Sequence, residues 1–181
     1  MAHLLIQSFL QGNKARTKSH RALDCGAGIG RITKRLLLPL FDTVDLVDVN
    51  PKFIDEAKNF LEKDADRVGE FFVRGLQDFT PKPGYYNVIW CQWVLGHLTD
   101  DDLVTFFQRC KQGVVAGGLV VIKENCGSAA QVVFDKGDSS YTRPKTELVR
   151  LIERSGLSIV QEEKQKGFPK DIYDVWMFVC E

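Results

Sequence analysis

The feature that most constrains the fold of this 181-residue chain is the stretch ALDCGAGIGR at residues 22–31. A short apolar run ends at Asp24, and Gly26, Gly28 and Gly30 follow at alternate positions. Glycines let the backbone turn sharply and let a ligand approach it closely. A helical pattern begins directly behind them, so free backbone N–H groups and the positive end of a helix dipole would face an anionic group. The stretch therefore predicts a loop that binds a nucleotide-type cofactor.

The spacing of the glycines argues against a dinucleotide cofactor. In the dinucleotide fingerprint G-x-G-x-x-G the third glycine packs the helix onto the strand, whereas here Arg31 stands at that position. Asp24 favours a cofactor that carries a cationic amine, because a carboxylate would repel a pyrophosphate. A second predicted strand, 44–48, ends in Asp48, where such folds place a carboxylate that holds ribose hydroxyls. This combination resembles motif I and the ribose acid of the class I S-adenosylmethionine (SAM) methyltransferases.

Composition limits the classes of partner and compartment. The net charge is zero and the pI is about 6.8, so no global field attracts nucleic acid or anionic lipid. The five cysteines and three histidines lack the spacing of a zinc site or a disulfide framework, which favours a reducing compartment and predicts no bound metal. The N-terminus does not fit a signal peptide, and no apolar run has membrane-spanning length. We therefore expect an intracellular protein that binds neither nucleic acid nor membranes.

Strands and helices alternate along the chain, which predicts βαβ units and a parallel sheet within one domain, 1–181. Residues 1–20 are interpreted as a remnant N-terminal helix, 4–10, and a basic linker. The last two predicted strands have no helix between them, which predicts an antiparallel C-terminal hairpin. The expected fold is α/β: a three-layer αβα, Rossmann-like, mostly parallel sheet of seven strands, which again resembles the class I methyltransferases. After a first strand at Asp24, the predicted strands are 44–48, 68–74, 85–90, 119–123, 157–162 and 172–179, and the predicted helices are 31–38, 51–61 and 100–114.

The segment after the fourth strand separates classes of methyltransferase. A DNA adenine methyltransferase would carry Asn/Asp-Pro-Pro-aromatic there, whereas this chain has Cys-Gln-Trp-Val at 91–94. The sequence also shows neither the carboxylate cluster of metal-dependent catechol-type enzymes nor the paired-glutamate hairpin of arginine methyltransferases. The sequence therefore lacks the main feature that would indicate each of these three classes of methyltransferase.

Three segments together closely resemble the protein α-N-terminal methyltransferases: LDCGAGIGR at 23–31, GLQDFTP at 75–81 and WCQWVLGHLTD at 90–100. The resemblance runs from about residue 20 to the end of the chain and includes 168–169 and 172–173. It implies a SAM-dependent enzyme of the nucleus and cytoplasm. Its substrates would be proteins that begin Xaa-Pro-Lys, and it would methylate their exposed α-amine.

The resemblance also implies which residues hold the cofactor. Gly26 and Arg31 would hold the methionine moiety of SAM, with Arg31 facing its carboxylate, and Asp48 would take the ribose hydroxyls. The other implied cofactor residues are Leu76 and Gln77, beside the adenine, and Gln92, against the cofactor.

A second group of residues is implied to hold the substrate. Trp93 would pack on the first residues of the substrate, including the proline, and Asn125 would hydrogen-bond its backbone. The other implied substrate residues are Asp135 and Asp138, at the acidic end of the peptide channel, and Tyr173, on one side of it.

The chemistry requires that the substrate amine lose a proton. An α-amine has a pKa of about 7.7–8.0, so near pH 7 most of it is protonated and cannot attack. His97 and Asp138 are the candidates for accepting the proton, directly or through water. A free fraction near one in ten costs only about 1.4 kcal/mol, so orientation should contribute more. Two other interpretations stay open, because His97 could brace the next helix and 135–140 also fits an ordinary polar turn.

Two other functions stay open as well. Family members carry helices and a substrate-covering loop ahead of the point at which this chain begins, and residues 1–20 are too few to supply them. One alternative is therefore a truncated, catalytically weak SAM-binding form that acts through a partner. The other is a small-molecule amine methyltransferase. The number of methyl groups, the target proteins and the oligomeric state are not predicted.

Overall fold

The strands and helices are taken from a computed structural model that describes residues 2–11, 15–128, 131–167, 169 and 172–181. Lys14, in the predicted basic linker, and Phe168, in the C-terminal part of the family resemblance, lie outside the described residues. The strands are β1 (Arg21–Cys25), β2 (Thr43–Asp48), β3 (Val68–Val73), β4 (Tyr86–Gln92), β5 (Val114–Gly127), β6 (Val133–Asp135), β7 (Ser140–Pro144), β8 (Ile159–Lys164) and β9 (Asp174–Cys180). The helices are α1 (Ala2–Leu10), α2 (Pro51–Phe60), α3 (Asp100–Gly113) and α4 (Lys145–Arg154).

The central sheet begins with five parallel strands in the order β3-β2-β1-β4-β5. β9 then pairs antiparallel with β5, and β8 pairs antiparallel with β9. The strand order reverses between β1 and β4, and ligands of open α/β sheets bind at the carboxyl ends of the strands beside such a reversal. The predicted mostly parallel sheet with an antiparallel C-terminal hairpin is therefore confirmed.

Three elements, β6, β7 and α4, go beyond the sequence-based predictions. β6 and β7 form an antiparallel hairpin around residues 136–139, and β7 continues the sheet by pairing with the end of β5. The region 135–140, for which a polar turn was the alternative interpretation, thus forms the tip of this hairpin and the two strand ends beside it. α4 was also not predicted, although its buried Leu148, Leu151 and Ile152 have helical spacing.

The sheet is buried on both faces, as expected for a parallel sheet covered by helices. Side chains alternate between the faces along each strand, so β4 directs Ile89 and Cys91 to one side and Val88 and Trp90 to the other. α3 and α4 cover the first side, and α1 and α2 cover the second. This arrangement is the predicted three-layer αβα architecture.

Two of the predicted helices begin at residues whose side chains cap them. Asn50 caps α2 by accepting a hydrogen bond from Lys52 N at 3.0 Å, and Pro51 is its first residue. Thr99 caps α3 by accepting from Asp102 N at 3.2 Å. Behind the glycine loop the predicted helix is wider than an α-helix, with π-type bonding over Thr33–Leu37. Within the described ranges, no helix combines the length and apolarity needed to cross a membrane.

Candidate active site

The glycine loop forms one wall of a cleft of about 560 Å³ at the carboxyl ends of β1, β2 and β4. Gly26 and Gly28 line this cleft with φ angles of 69° and 55°, which are in the left-handed region that favours glycine. A side chain on Gly26 would clash with Val94, whereas the space around the missing Cβ of Gly28 is open. The loop therefore presents bare backbone to the cleft, as a closely approaching cofactor requires.

Asp48 lies in the same cleft, at the end of β2. Its Oδ2 accepts a hydrogen bond from Gly28 N at 2.8 Å, and its Oδ1 accepts from Asn50 N at 2.9 Å. These bonds fix the orientation of the carboxylate, and each oxygen retains acceptor capacity for a hydroxyl group. A vicinal diol such as that of a ribose can donate to these two acceptors.

Leu76 and Gln77 line the opposite wall of the cleft. Arg109, on α3, holds their backbone in place, because its guanidinium donates to Leu76 O at 2.8 Å and to Gln77 O at 2.9 Å. It also donates to Phe79 O at 2.8 Å. The sequence offers no signal for this role of Arg109, because only the fold brings α3 beside the segment 75–79.

Two predicted cofactor residues do not line the cleft. Gln92 is buried at the end of β4, and its side-chain oxygen accepts from Trp90 Nε1 at 3.3 Å. The guanidinium carbon of Arg31 lies 5.9 Å from the ring centre of Trp93, which is itself a lining residue. Their contacts with a cofactor therefore stay predictions.

A smaller cavity of about 220 Å³ adjoins the cleft. Four of the predicted substrate and catalytic residues line it, namely Trp93, His97, Asn125 and Asp138. Trp93 and His97 also line the larger cleft, so they form the boundary between the two spaces. A nucleophile in the small cavity would thus lie next to a cofactor in the cleft.

Trp93 has an unusual backbone and an electropositive environment. Its φ of 53° is in the left-handed region, which costs a non-glycine residue about 1–3 kcal/mol and is typical of functional sites. The Lys123 ammonium lies 5.4 Å from the ring centre, and Trp93 N donates to Lys123 O at 3.1 Å. Burial lowers the pKa of Lys123, and the neighbouring Arg31 lowers it further.

Two predicted substrate residues line neither cavity. Asp135 is exposed at the end of β6, and its carboxylate accepts from Gly137 N at 2.7 Å. Tyr173 is 45% exposed and lines a separate pocket with Lys164 and Pro169. The described geometry does not bring either of them together with Trp93 and His97, so their roles stay predictions.

Two carboxyl groups near the site have unusual environments. Asp24 is buried behind the glycine loop, and burial raises the pKa of its carboxyl to about 7, although a hydrogen bond from Thr33 Oγ1 at 2.6 Å opposes the shift. Glu124 lines the small cavity, and burial raises its pKa, while bonds from backbone N–H groups oppose this. Glu124 was not predicted as a site residue. In the sequence it is one of three consecutive polar residues, 123–125, that follow the apolar run 119–122, and this pattern does not single it out.

The chain is similar to proteins of known class. A family model described as AdoMet dependent proline di-methyltransferase matches residues 2–181. N-terminal Xaa-Pro-Lys N-methyltransferase 1 of Danio rerio is 54% identical over 170 residues, which cover 94% of this chain and 76% of the relative. The enzyme of that name from Mus musculus is 50% identical over 173 residues, covering 96% and 77%.

Solved structures give the same class. A SAM-dependent methyltransferase from Leishmania major matches with a TM-score of 0.92 and 37% identity, covering 99% of this chain and 70% of that one. A Burkholderia thailandensis 1,6-didemethyltoxoflavin-N1-methyltransferase, solved with S-adenosylhomocysteine, matches with a TM-score of 0.77 but only 18% identity. The match covers 99% of this chain and 77% of the Burkholderia chain. The second likeness concerns the fold alone.

Proposed function

Because the chain belongs to the family of AdoMet-dependent proline di-methyltransferases, we propose that it methylates the α-amine of proteins that begin Xaa-Pro-Lys. The observation that carries this proposal is the shared wall of the two cavities, where Trp93 and His97 separate the cofactor cleft from a small polar cavity. Bound SAM supplies an electrophilic methyl group on a sulfonium. The protein has to hold an uncharged amine in line with it.

The cofactor cleft fits SAM because the carboxylate of Asp48 is held in place and the glycine loop exposes its backbone. Asp48 binds the ribose hydroxyls, since both its oxygens are oriented by backbone N–H groups and still accept. The other cofactor residues of the proposal are Gly26 and Arg31 for the methionine moiety, Leu76 and Gln77 for the adenine, and Gln92 against the cofactor. Arg31 acts as the cation for the carboxylate of that moiety.

The small cavity supplies the groups that an N-terminal peptide needs. Asn125 offers an amide to the peptide backbone, and Trp93 offers an aromatic face to the first residues. Asp138 provides a negative charge that attracts the ammonium form of the amine. Asp135 and Tyr173 extend this surface, towards the basic third residue and one side of the peptide.

Deprotonation of the amine falls to the residues that line the small cavity. His97 and Asp138 both line it, and either accepts the proton directly or through water. The pKa of an α-amine, about 7.7–8.0, leaves roughly a tenth of it free near pH 7, so the base contributes about 1.4 kcal/mol. Alignment of the amine with the methyl group contributes the larger share.

Mass spectrometry of a peptide that begins Ser-Pro-Lys, incubated with the protein and SAM, tests the proposal. An N-acetylated copy of the peptide serves as the control. Methyl groups on the free peptide alone would support α-amine transfer and would report how many are added. Methylation of both peptides would place the reaction on a side chain and contradict the proposal. Preferential methylation of free small amines would favour the small-molecule alternative instead.

A further inference from the structure

The turn over residues 93–98, here called the joining turn, carries the two side chains that separate the cavities. It leaves β4 at Trp93, whose backbone is in the left-handed region, and forms a single 3-10 turn over Leu95–His97. Such a short turn has few internal hydrogen bonds. The positions of Trp93 and His97 must therefore be set by groups outside the turn.

Glu124 holds the N–H groups of the joining turn. Its Oε2 accepts from Leu95 N at 3.2 Å, and Val94 N is a further donor to this carboxylate. Its Oε1 accepts from Asn125 N at 2.9 Å. One side chain thus connects the joining turn to the end of β5, where the substrate residue Asn125 lies.

Arg143 holds the carbonyl groups of the joining turn. This arginine, only 4% exposed, donates from Nη1 to Leu95 O at 3.3 Å and from Nη2 to Leu98 O at 2.6 Å. Its Nε donates to Asp100 Oδ1 at 2.9 Å, at the start of α3. The planar guanidinium spreads five N–H donors over three nitrogens, whereas the three donors of a lysine ammonium share one nitrogen and cannot reproduce this geometry.

The two side chains come from strands that are already in register. β5 and β7 pair at Cys126 and Arg143, two residues beyond Glu124, and β7 follows the hairpin tip that carries Asp138. Glu124, on β5, therefore accepts hydrogen bonds from N–H groups of the joining turn, and Arg143, on β7, donates hydrogen bonds to carbonyl groups of the same turn.

We propose that Glu124 and Arg143 are positioning residues that hold Trp93 and His97 against Asn125 and Asp138. The inference rests on the proposed function, because it concerns the alignment of the amine in the small cavity. Releasing either contact lets the left-handed backbone of Trp93 relax and shifts the turn. A misplacement of about 1 Å at a reacting centre can cost about a hundredfold in rate.

Two substitutions, here called the release variants, remove hydrogen bonds to the joining turn but keep most of the size of the side chain. Glu124→Gln replaces one acceptor oxygen with an amide NH2 group, so it cannot accept from both Leu95 N and Asn125 N. Arg143→Lys keeps the charge but cannot reach Leu95 O, Leu98 O and Asp100 together. Glu153→Gln, on the exposed surface of α4, is the matched control for the change of charge.

Fluorine NMR reports the position of the turn independently of catalysis. The chain has three tryptophans, so protein labelled with 5-fluorotryptophan gives three signals, and Trp93→Phe assigns the one from Trp93. In both release variants we expect the Trp93 signal to shift or broaden while the signals of Trp90 and Trp176 stay at their wild-type positions. If the Trp93 signal does not move, or if all three signals move together, the proposal is overturned.

Kinetics then test the consequence for the reaction. For the Ser-Pro-Lys peptide we expect kcat/KM to fall at least tenfold in both release variants, mainly through kcat, while the Kd for SAM changes less than threefold. Glu153→Gln should match the wild type. A loss of SAM affinity as large as the loss of kcat/KM, or unchanged kcat/KM, contradicts a positioning role. If the wild-type protein fails to methylate the peptide, the proposed function fails, whereas the fluorine signals still decide whether the two residues hold the turn.

Discussion

The cofactor cleft and the small cavity are built in different ways, although they share a wall. Four segments line the cleft, 26–28, 48–53, 74–77 and 93–98, and two of them, the glycine loop and the strand end at Asp48, are short local sequence motifs. The small cavity instead draws Trp93, Asn125 and Asp138 from three separate segments, and they meet only through the fold.

This difference indicates which kinds of substitution should impair the cleft and which should impair the small cavity. The cleft depends on the absence of side chains at a few backbone positions, so adding a single carbon should block it. The small cavity depends on the relative placement of a turn, a strand end and a hairpin. Substitutions that leave its lining residues in place can therefore still disturb it.

The largest expected effect comes from adding a methyl group to the glycine loop. Gly28→Ala places a Cβ where the structure is open at the cleft, and we expect the Kd for SAM to rise about a hundredfold, equivalent to about 2.7 kcal/mol. Isothermal titration measures this change. Gly84 has a similar φ of 59° and equally open space, so Gly84→Ala is the matched control.

Both variants should lose about 1 kcal/mol of stability, because alanine is strained at a positive φ. Only Gly28→Ala should lose affinity for SAM. Equal affinities in the two variants would show that the cleft does not depend on the bare backbone at this loop.

The second-largest expected effect concerns the carboxyl of Asp24, which is buried behind the glycine loop. Burial raises the pKa of Asp24 from 3.8 to about 7, so the folded protein holds more protons than the unfolded chain between these values. The free energy of unfolding of the wild type should therefore fall as pH rises through this window. Asp24→Asn removes the titration, and we expect its stability relative to the wild type to grow by about 1 kcal/mol per pH unit between pH 5 and 7.

Urea denaturation at several pH values measures this slope. Asp78→Asn, at an exposed position, is the matched control and should leave the wild-type slope in place. A pH-independent difference between Asp24→Asn and the wild type would show that the carboxyl keeps its charge in the folded protein.

The third effect tests the base in the small cavity. We expect His97→Gln to lower kcat/KM for the peptide about tenfold at pH 7, because only about a tenth of the α-amine is free at that pH. The deficit should shrink at pH 9, where the amine loses its proton without help. His20, which pairs with Asp42 at the surface away from both cavities, provides the control variant His20→Gln. A deficit of constant size across this pH range would favour a bracing role for His97.

The two regions also differ in how far the sequence predicts them. The glycine loop, Asp48 and the alternation of strands and helices follow from local spacing, which predicts the α/β fold and a nucleotide-type cofactor. The resemblance to the class I methyltransferases then identified this cofactor as SAM. Trp93 and His97 were found through a family resemblance, and the structure places both on the shared wall. Glu124 and Arg143 were missed because their partners are backbone groups of a turn distant in sequence, which no local pattern encodes.

The smallest expected effect separates two carboxylates of the same hairpin. Both residues are exposed, but Asp138 lines the small cavity, whereas Asp135 lines neither cavity and accepts a hydrogen bond from the backbone N–H of Gly137. An exposed charge interacts weakly and is screened by salt, so Asp135→Asn should lower kcat/KM for the peptide only about twofold, and the deficit should vanish at high salt. Asp138→Asn should cost more, because Asp138 lines the cavity in which the amine is aligned. If Asp135→Asn has the larger effect, the hairpin closes over the substrate differently from the described structure, and the small cavity extends beyond the residues that line it here.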